Sequence, residues 1–503
     1  VKNNMSYITP NSIIRLLKNV PLDNTYRHTI YFASKSDQIS YFIGLVKHSL
    51  TSQSYQRVNK GTMRVNVSAD SAYDCNYLMF QNTAFGTKYF YAFIKSVEYI
   101  NNVTCEIEFE IDVMQTWMFD YTLTKSFIER KHTPTDNIGD WVQPENVDLG
   151  VYIDSHEQET NLFNSYSVVI ITADVSESDP PNGMIGGLYS GCRYITALVN
   201  TESQVEVLNN YLVALVKANN QDAIVSILYV PTAIVPTEAG SPKHYTAEYP
   251  PHISDIDGYV PRNKKLLTYP YNFMYVSNNE GDGVIYRYER CNKTENGNIL
   301  CGIFTQFSAN PEIAFMVYGY NGEVLDYDDA LFIKSFPQCC FSYDTFRAWV
   351  AQGGVLKTTI SGAGVVGSAI SGNAMGAVLG TSNMVNDVVN ASLKPNTLIG
   401  QAGGSFNAAN KFQDFRITQR HILPSFAKII DDYFDKYGYA YNQYGTVDRS
   451  TRPHWNYIKT RDVTITGSVP VDDMRKICQV YDNGITFWKN GSEVGDYSLD
   501  NSV

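Results

Sequence analysis

From Val103 to Val113 the chain alternates strictly: Val103, Cys105, Ile107, Phe109, Ile111 and Val113 are apolar, and between them stand Thr104, Glu106, Glu108, Glu110 and Asp112. A period of two sustained over this length fits a strand with one buried and one wet face, and it does not fit a helical stripe. The run before it, TKYFYAFIKSVEYI (87–100), is aromatic and β-branched. Asn101-Asn102 between the two runs suits the positive φ angles of a tight turn, so a long two-stranded ribbon is predicted. Four carboxylates in a row repel one another and do not enter an apolar core. Glu106, Glu108, Glu110 and Asp112 are therefore expected to face water or a water-filled lumen.

The rest of the chain fits a sheet-rich protein. Its 503 residues correspond to roughly three domains. Aromatic residues make up 13%, with 37 tyrosines, while charged residues at 18% fall below the roughly 25% of an average domain. A net charge of −12 argues against a protein that grips nucleic acid through a basic face. The opening VKNNMSYITPNSIIRLLKNV lacks the pattern of a secretory leader, an expectation against Sec export. Eight cysteines are scattered without a C-x-x-C pair and are expected to be mostly buried free thiols.

Two helices are predicted near the C-terminus. SFAKIIDDYFDKYG (425–438) places Ile429, Ile430, Tyr433, Phe434 and Tyr437 on one side and stops at a glycine, and DDMRKICQVYDNG (472–484) behaves similarly. A third follows a capping-box pattern, Ser203 with Glu206, before Leu208, Tyr211, Leu212, Leu215 and Val216. Strands are predicted around them in AIVSILYV (223–230), CGIFTQF, EIAFMVYGY, DVTITGSVPV and GITFW, with a turn at Asn321-Gly322. The fold class is mainly β with minor α, of α+β type.

Signatures of catalysis are missing: there is no H-E-x-x-H, P-loop, G-x-S-x-G elbow or EF-hand loop. His132, His244, His252 and His454 stand in polar or Pro-flanked contexts that read as surface. Asp431-Asp432 reads as a helix-surface pair and Asp472-Asp473 as a helix N-terminal pair. No catalytic residue, metal site or cofactor is expected.

One segment differs from everything else. Residues 353–404 hold 11 of the 34 glycines, and no aromatic residue occurs between Val350 and Ser405. From Thr358 to Asn386 there are 29 uncharged residues, more than the roughly 20 that a helix needs to cross a bilayer, although the many Gly, Ser, Ala and Asn argue against a permanent anchor. Three readings are open. Gly372, Gly376 and Gly380 form the small-residue spacing that lets helices approach closely, as in a conditional membrane-active or self-associating segment. Gly362-Ala363-Gly364-Val365-Val366-Gly367 matches G-x-G-x-x-G with Asp387 twenty residues on, but lacks the buried strand and βαβ surroundings of a dinucleotide site. A low-complexity surface loop is the third. Lys357 and Lys394 bracket the uncharged run, with Arg416 and Arg420 further out, where contacts to lipid headgroups are feasible.

The runs YLMFQNTAFGTKYFYAFI (77–94), FEIDVMQTWMFDY (109–121) and SFIERKH (126–132) resemble the N-terminal part of the tail-knob, or distal tail tube, proteins of small short-tailed phages that replicate DNA by protein priming. YFDKYGYAYNQY (433–444), RPHWNYIKTRDVTITG (452–467) and DNGITFW (482–488) resemble the C-terminal part of the same family, while residues 140–340 carry no matching run. The resemblance implies a β-barrel-like tube domain built from residues 1–135 and 409–503, a mixed middle domain at 136–350, and a long apolar Gly-rich loop at 351–408. It further implies a homohexamer, with the lower collar or tail tube protein as a neighbour and genomic DNA passing through the lumen without specific binding. The loops would plug the tube and then enter the host cytoplasmic membrane. The membrane-active residues would be Gly362, Gly364, Val365, Val366, Gly367, Ile370, Gly372, Met375, Gly376, Val378, Leu379 and Gly380, and the lumen-facing ones Glu106, Glu108, Glu110 and Asp112. The implied location is the virion tail tip, after synthesis in the host cytoplasm. A different class of function, a host-surface carbohydrate adhesin or cell-wall hydrolase of the tail, is compatible with the tyrosine content.

Overall fold

The computed structural model describes residues 12–339, apart from short stretches of which 54–60, 174–183, 199–209 and 236–243 are the longest, and residues 414–503. The chain divides into two compact units. Unit one comprises Val1–Asp148, Val260–Leu266 and Ser425–Val503, and unit two comprises Leu149–Tyr259 and Leu267–Pro424.

Unit one opens with strands β1 (Ser12–Leu17), β2 (His28–Ile30), β3 (Val46–Gln53), β4 (Thr62–Val65), β5 (Tyr77–Asn82), β6 (Tyr89–Asn101) and β7 (Thr104–Ile111), with helices α1 (Lys35–Gly44) and α2 (Ala69–Ala72) between them. Six of these strands form an antiparallel sheet in the order β3-β1-β5-β6-β7-β4. Ile14 and Leu16 of β1 share one buried cluster with Met63 and Val65 of β4, from the other side of the sheet, and with Leu78, Ala92, Cys105 and Ile107. A flat sheet cannot bring both sides to one core, so this one curls around it as a half-barrel. The predicted ribbon is β6–β7, with its turn one residue later than expected, at Asn102–Val103. Neither turn residue adopts a positive φ; the Asn101 side chain instead accepts the Val103 N–H at 3.0 Å and fixes the turn locally. Helix α3 (Val113–Trp117) and strands β8 (Tyr121–Leu123) and β9 (Ser126–Lys131) follow.

Unit two is built from β10 (Tyr152–Glu159), β11 (Tyr166–Ala173), β12 (Met184–Gly186), β13 (Cys192–Leu198), β14 (Ile224–Pro231), β15 (His244–Tyr249), β16 (Asn272–Ser277), β17 (Gly283–Tyr286), β18 (Ile299–Gln306), β19 (Glu312–Val317), β20 (Leu331–Ile333), β21 (Gln338–Cys339) and β22 (Arg416–Ile422). They form three antiparallel sheets ordered β10-β22-β16-β17, β12-β13-β11-β14-β21 and β15-β18-β19-β20. One cluster joins all three, with Val169 and Leu228, Ile303 and Phe315, and Met274 and Ile417 as representatives. Asn321 and Gly322 both adopt positive φ (54° and 87°), as their predicted turn requires. The helix predicted after Ser203 lies mostly outside the described residues; Tyr211 and Leu215 are helical and buried.

The chain then completes unit one with α4 (Pro424–Tyr437), β23 (Tyr439–Gly445), β24 (Trp455–Arg461), β25 (Ile465–Gly467), α5 (Val471–Asn483) and β26 (Ile485–Trp488). Strands β23, β24 and β26 interleave with N-terminal ones in a sheet ordered β2-β26-β24-β9-β23, and β25 pairs with β8, which is why the N- and C-terminal stretches make one unit. The β2–β26 pair is parallel, and every other strand pairing among the described residues is antiparallel. Tyr77, Met79, Tyr91 and Phe93 of the curled sheet pack with Met114 of α3 and Ile477 and Tyr481 of α5 in a second cluster. Helix α4 stops at Gly438, whose φ is +66°; a Cβ there would lie 2.2 Å from the Lys131 carbonyl oxygen.

The face that α4 buries is rotated from the expected one. Ala427, Ile430, Asp431, Phe434 and Asp435 are buried, and Ile429 is 65% exposed. Asp431, read from sequence as a surface residue, is fully buried because it has partners there. Its carboxylate accepts the backbone N–H of Arg262 at 2.8 Å and of Asn263 at 3.0 Å, and the Asn263 side-chain amide at 2.8 Å. Asp136 likewise accepts the Lys264 N–H at 2.9 Å and the Tyr439 hydroxyl at 2.5 Å. Glu145 accepts Lys265 Nζ at 2.6 Å, the Ala440 N–H at 2.8 Å and the Arg130 guanidinium. Three carboxylates thus fasten the short insertion Val260–Leu266 to both larger pieces of unit one.

A buried carboxylate that satisfies three donors leaves them all stranded when removed. Asp431→Ala is expected to cost about 3 to 5 kcal/mol, whereas Asp432→Ala, which removes a half-exposed partner of Arg262, is expected to cost under about 1 kcal/mol. Urea unfolding followed by tryptophan fluorescence checks this, since Trp117, Trp141, Trp455 and Trp488 all belong to unit one.

Candidate functional site

The acidic row lies on β7, where alternation sends Cys105, Ile107 and Phe109 into the core of the curled sheet and Glu106, Glu108 and Glu110 to the opposite face. The repulsion expected along this row is offset by cations from three elements. Arg64 of β4 meets Glu106 at 2.8 Å, Lys95 of β6 meets Glu110 at 3.1 Å, and Lys476 of α5 also pairs with Glu110. Glu108 is the exposed member, with Ser96 Oγ at 3.4 Å. Partial burial works to raise the Glu110 carboxyl, but hydrogen bonds from Lys476 and Lys95 outweigh it and hold the pKa at about 2. The row is a partly exposed, largely charge-compensated surface rather than a bare acidic stripe.

Asp112 does not belong to it. The strand ends at Ile111, and Asp112 is 1% exposed, capping α3 through hydrogen bonds from the N–H groups of Met114 (3.0 Å) and Gln115 (3.1 Å) and from the Tyr77 hydroxyl (2.8 Å). An aspartate just before a first helical turn is a favoured N-cap, and this local signal competes with the alternating pattern and wins. Burial raises its carboxyl to about pKa 6 against the opposing hydrogen bonds.

Beside the row lies a groove of about 690 Å³ lined by Phe80, Phe90, Phe109, Ile111, Val113 and Trp117, with Lys95, Glu108, Glu110, Asp473 and Lys476 among its polar lining. Phe80 and Phe90 stack at 5.3 Å, and Lys88 Nζ sits 3.3 Å from the centroid of the Trp117 ring. The sequence gives no sign of this groove, because its walls come from β5, β6, β7, α3 and the start of α5. Asp473, in the first turn of α5, accepts the Trp117 indole N–H at 2.9 Å.

His132, expected on the surface, is 3% exposed. Its Nδ1 accepts the Tyr457 N–H at 2.7 Å and its Nε2 faces the Asp435 carbonyl at 2.9 Å, an arrangement that fits the neutral ring. Burial first, and Arg452 second, lower its pKa to about 3. Cys75, Cys105, Cys291, Cys301 and Cys478 are free thiols, three of them buried. Among the described residues no group of three or more His, Cys, Asp or Glu is arranged to hold a metal, and no helix is long and apolar enough to cross a membrane. Gly362 to Gly380, the expected membrane-active residues and the G-x-G-x-x-G run, lie outside the described residues. Arg416 and Arg420, for which headgroup contacts are feasible from sequence, stand on β22, paired with Glu157 and Asp154.

Residues 238–502 match the family described as Bacillus phage phi29, tail knob protein gp9, C-terminal domain, and residues 10–122 match the caudoviral major tail protein N-terminus. The chain is 24% identical to the tail knob protein gp9 of Bacillus phage B103 and 23% identical to that of Bacillus phage phi29, each time across 97% of this chain and 98% of the relative. Among solved structures it resembles the tail knob protein gp12 of bacteriophage C1, with a TM-score of 0.61 at 16% identity, covering 98% of this chain and 99% of that one.

The Asp112 carboxyl is raised in the fold, so its contribution to stability is full below the unfolded value of about 3.8 and lost as pH rises through about 6. Asp112→Asn keeps an acceptor for α3 and removes the proton. The stability difference between wild type and variant is expected to shift in the variant's favour between pH 4 and pH 6, measured by urea unfolding across that range.

Proposed function

This chain belongs to the phi29 gp9 tail knob family, structural proteins of a phage tail, and on that premise we propose that it forms a ring-shaped conduit at the tail tip whose apolar segment penetrates the host cytoplasmic membrane. The observation that carries the membrane step is composition: 29 uncharged residues from Thr358 to Asn386 in a segment without aromatics. Packed out of water inside a tube, such segments are protected; freed against a bilayer, Gly372, Gly376 and Gly380 let neighbouring helices approach closely around a channel.

For the conduit, support comes from Glu106, Glu108 and Glu110, which we assign to the lumen of a six-membered ring. Cations already paired with Glu106 and Glu110 give DNA phosphates a weak hold, and the excess negative charge of the chain works against adhesion. Asp112, buried at the N-cap of α3, has no part in that surface. The proposed neighbours are other copies of this chain, the lower collar or tail tube protein, the passing genome and the host membrane.

Deleting residues 353–404 is expected to leave assembly intact, seen by sedimentation, and to abolish dye release from liposomes. Undiminished release by the deleted protein would overturn the membrane role of the segment.

A further inference from the structure

The sheet β10-β22-β16-β17 turns Met274, Val276 and Ile417 into the core of unit two. Its other face carries Asp154 on β10, Tyr275 and Ser277 on β16, and Arg416, Thr418 and Arg420 on β22, which line a cleft of about 330 Å³ together with Glu157 and Asn279. Asp154 lies opposite Arg420 in the strand register, and Tyr275 opposite Thr418. Thr418 is only 5% exposed and lies deepest among them, so the surface is concave rather than a flat solvated sheet.

The backbone is strained to build this lining. The register of β10 shifts between Ser155 and Gln158, and His156 within the bulge adopts φ +50°. In an unbroken strand Glu157 and Asp154 point to opposite faces. The bulge brings Glu157 to the side of Asp154, where it pairs with Arg416, and it lays His156 against His252 with ring centroids 3.7 Å apart.

The polar groups are held in fixed positions. Arg420 grips Asp154 through two hydrogen bonds of 2.7 and 2.8 Å, and its guanidinium lies 3.6 Å from the centroid of the Tyr275 ring. Two arginines and two carboxylates cancel, so the lining carries no net charge while holding both donors and acceptors. Between them stand the Thr418 hydroxyl, which donates to the Tyr275 carbonyl at 3.3 Å and keeps its lone pairs for a ligand, and the Ser277 hydroxyl, which accepts the Asn279 N–H at 3.2 Å and keeps its proton. A phosphate entering here meets both carboxylates, an ammonium meets both guanidiniums, and an apolar ligand takes the two ion pairs out of water without offering them a hydrogen bond. A ligand that is neutral and dense in hydroxyls matches all of them, and the volume stands at the lower end of known ligand sites.

We propose that this cleft is a binding site for a neutral oligosaccharide. It goes beyond the conduit role and does not depend on it. The hydrogen bonds from Arg420 hold the Asp154 carboxyl below its ordinary value, which suits an acceptor for sugar hydroxyls rather than a general acid.

The test uses the full chain with chitotetraose, maltotetraose and cellotetraose as probes, by saturation-transfer NMR and titration calorimetry, with inorganic phosphate as a competitor. At least one tetrasaccharide is expected to bind with a millimolar or tighter Kd. Thr418→Val, nearly isosteric, and Ser277→Ala are each expected to weaken it about tenfold. Lys334→Gln, on a residue that pairs with Glu312 of another sheet, is expected to leave it unchanged. Absence of binding by all three sugars at about 10 mM overturns the proposal, as does binding that both cleft variants leave intact or that phosphate displaces.

Discussion

Three buried carboxylates hold unit one together. It is assembled from three separated stretches of chain, and Asp136, Glu145 and Asp431 join each stretch to the others through backbone N–H groups, Lys265, Arg130 and the Tyr439 hydroxyl. Charges removed from water are tolerated only where partners replace the lost hydration. The same groups that stabilise the correct joining therefore penalise any other. With the insertion fixed, α4 presents Phe434 to the Tyr439 ring, and β23 continues from Gly438 into the sheet shared with β9.

Much of the fold is legible where the pattern is local. The alternation around Glu106 to Glu110 and the glycine stop after Tyr437 depend on neighbours in sequence, and the structure has them. What is not legible depends on distant partners. Hydrophobic spacing puts Ile429 on the buried side of α4, yet the helix is turned so that Asp431 and Asp435 face inward, because Arg262 and Asn263 arrive from a segment that nothing in the helix announces. His132 is hidden for the same reason, its partner N–H belonging to Tyr457. Asp112 is a different case: two local rules disagree there, and the helix cap prevails over the strand period because three donors converge on it.

The candidate site shows the same division. The carboxylate row is readable from β7 alone, but its character is not. Arg64, Lys95 and Lys476 come from β4, β6 and α5 and turn a self-repelling stripe into a compensated surface. That change matters for the proposed role. A strongly acidic wall pushes DNA away and strains its own ring, whereas alternating, mutually satisfied charges stay hydrated and give a passing phosphate backbone neither a grip nor a barrier. The Gly-rich segment stands out through composition alone, since the lack of aromatics across it and of charge from Thr358 to Asn386 is a property of sequence rather than of any contact.

In the proposed assembly, copies of this chain close into a ring whose channel is lined by β7. Cryo-electron microscopy of the purified protein at a resolution that traces side chains tests it most directly. A sixfold ring with Glu106, Glu108 and Glu110 pointing into a central channel is expected. A ring that carries this row on its outer surface, or a protein that stays monomeric at every concentration imaged, would contradict it.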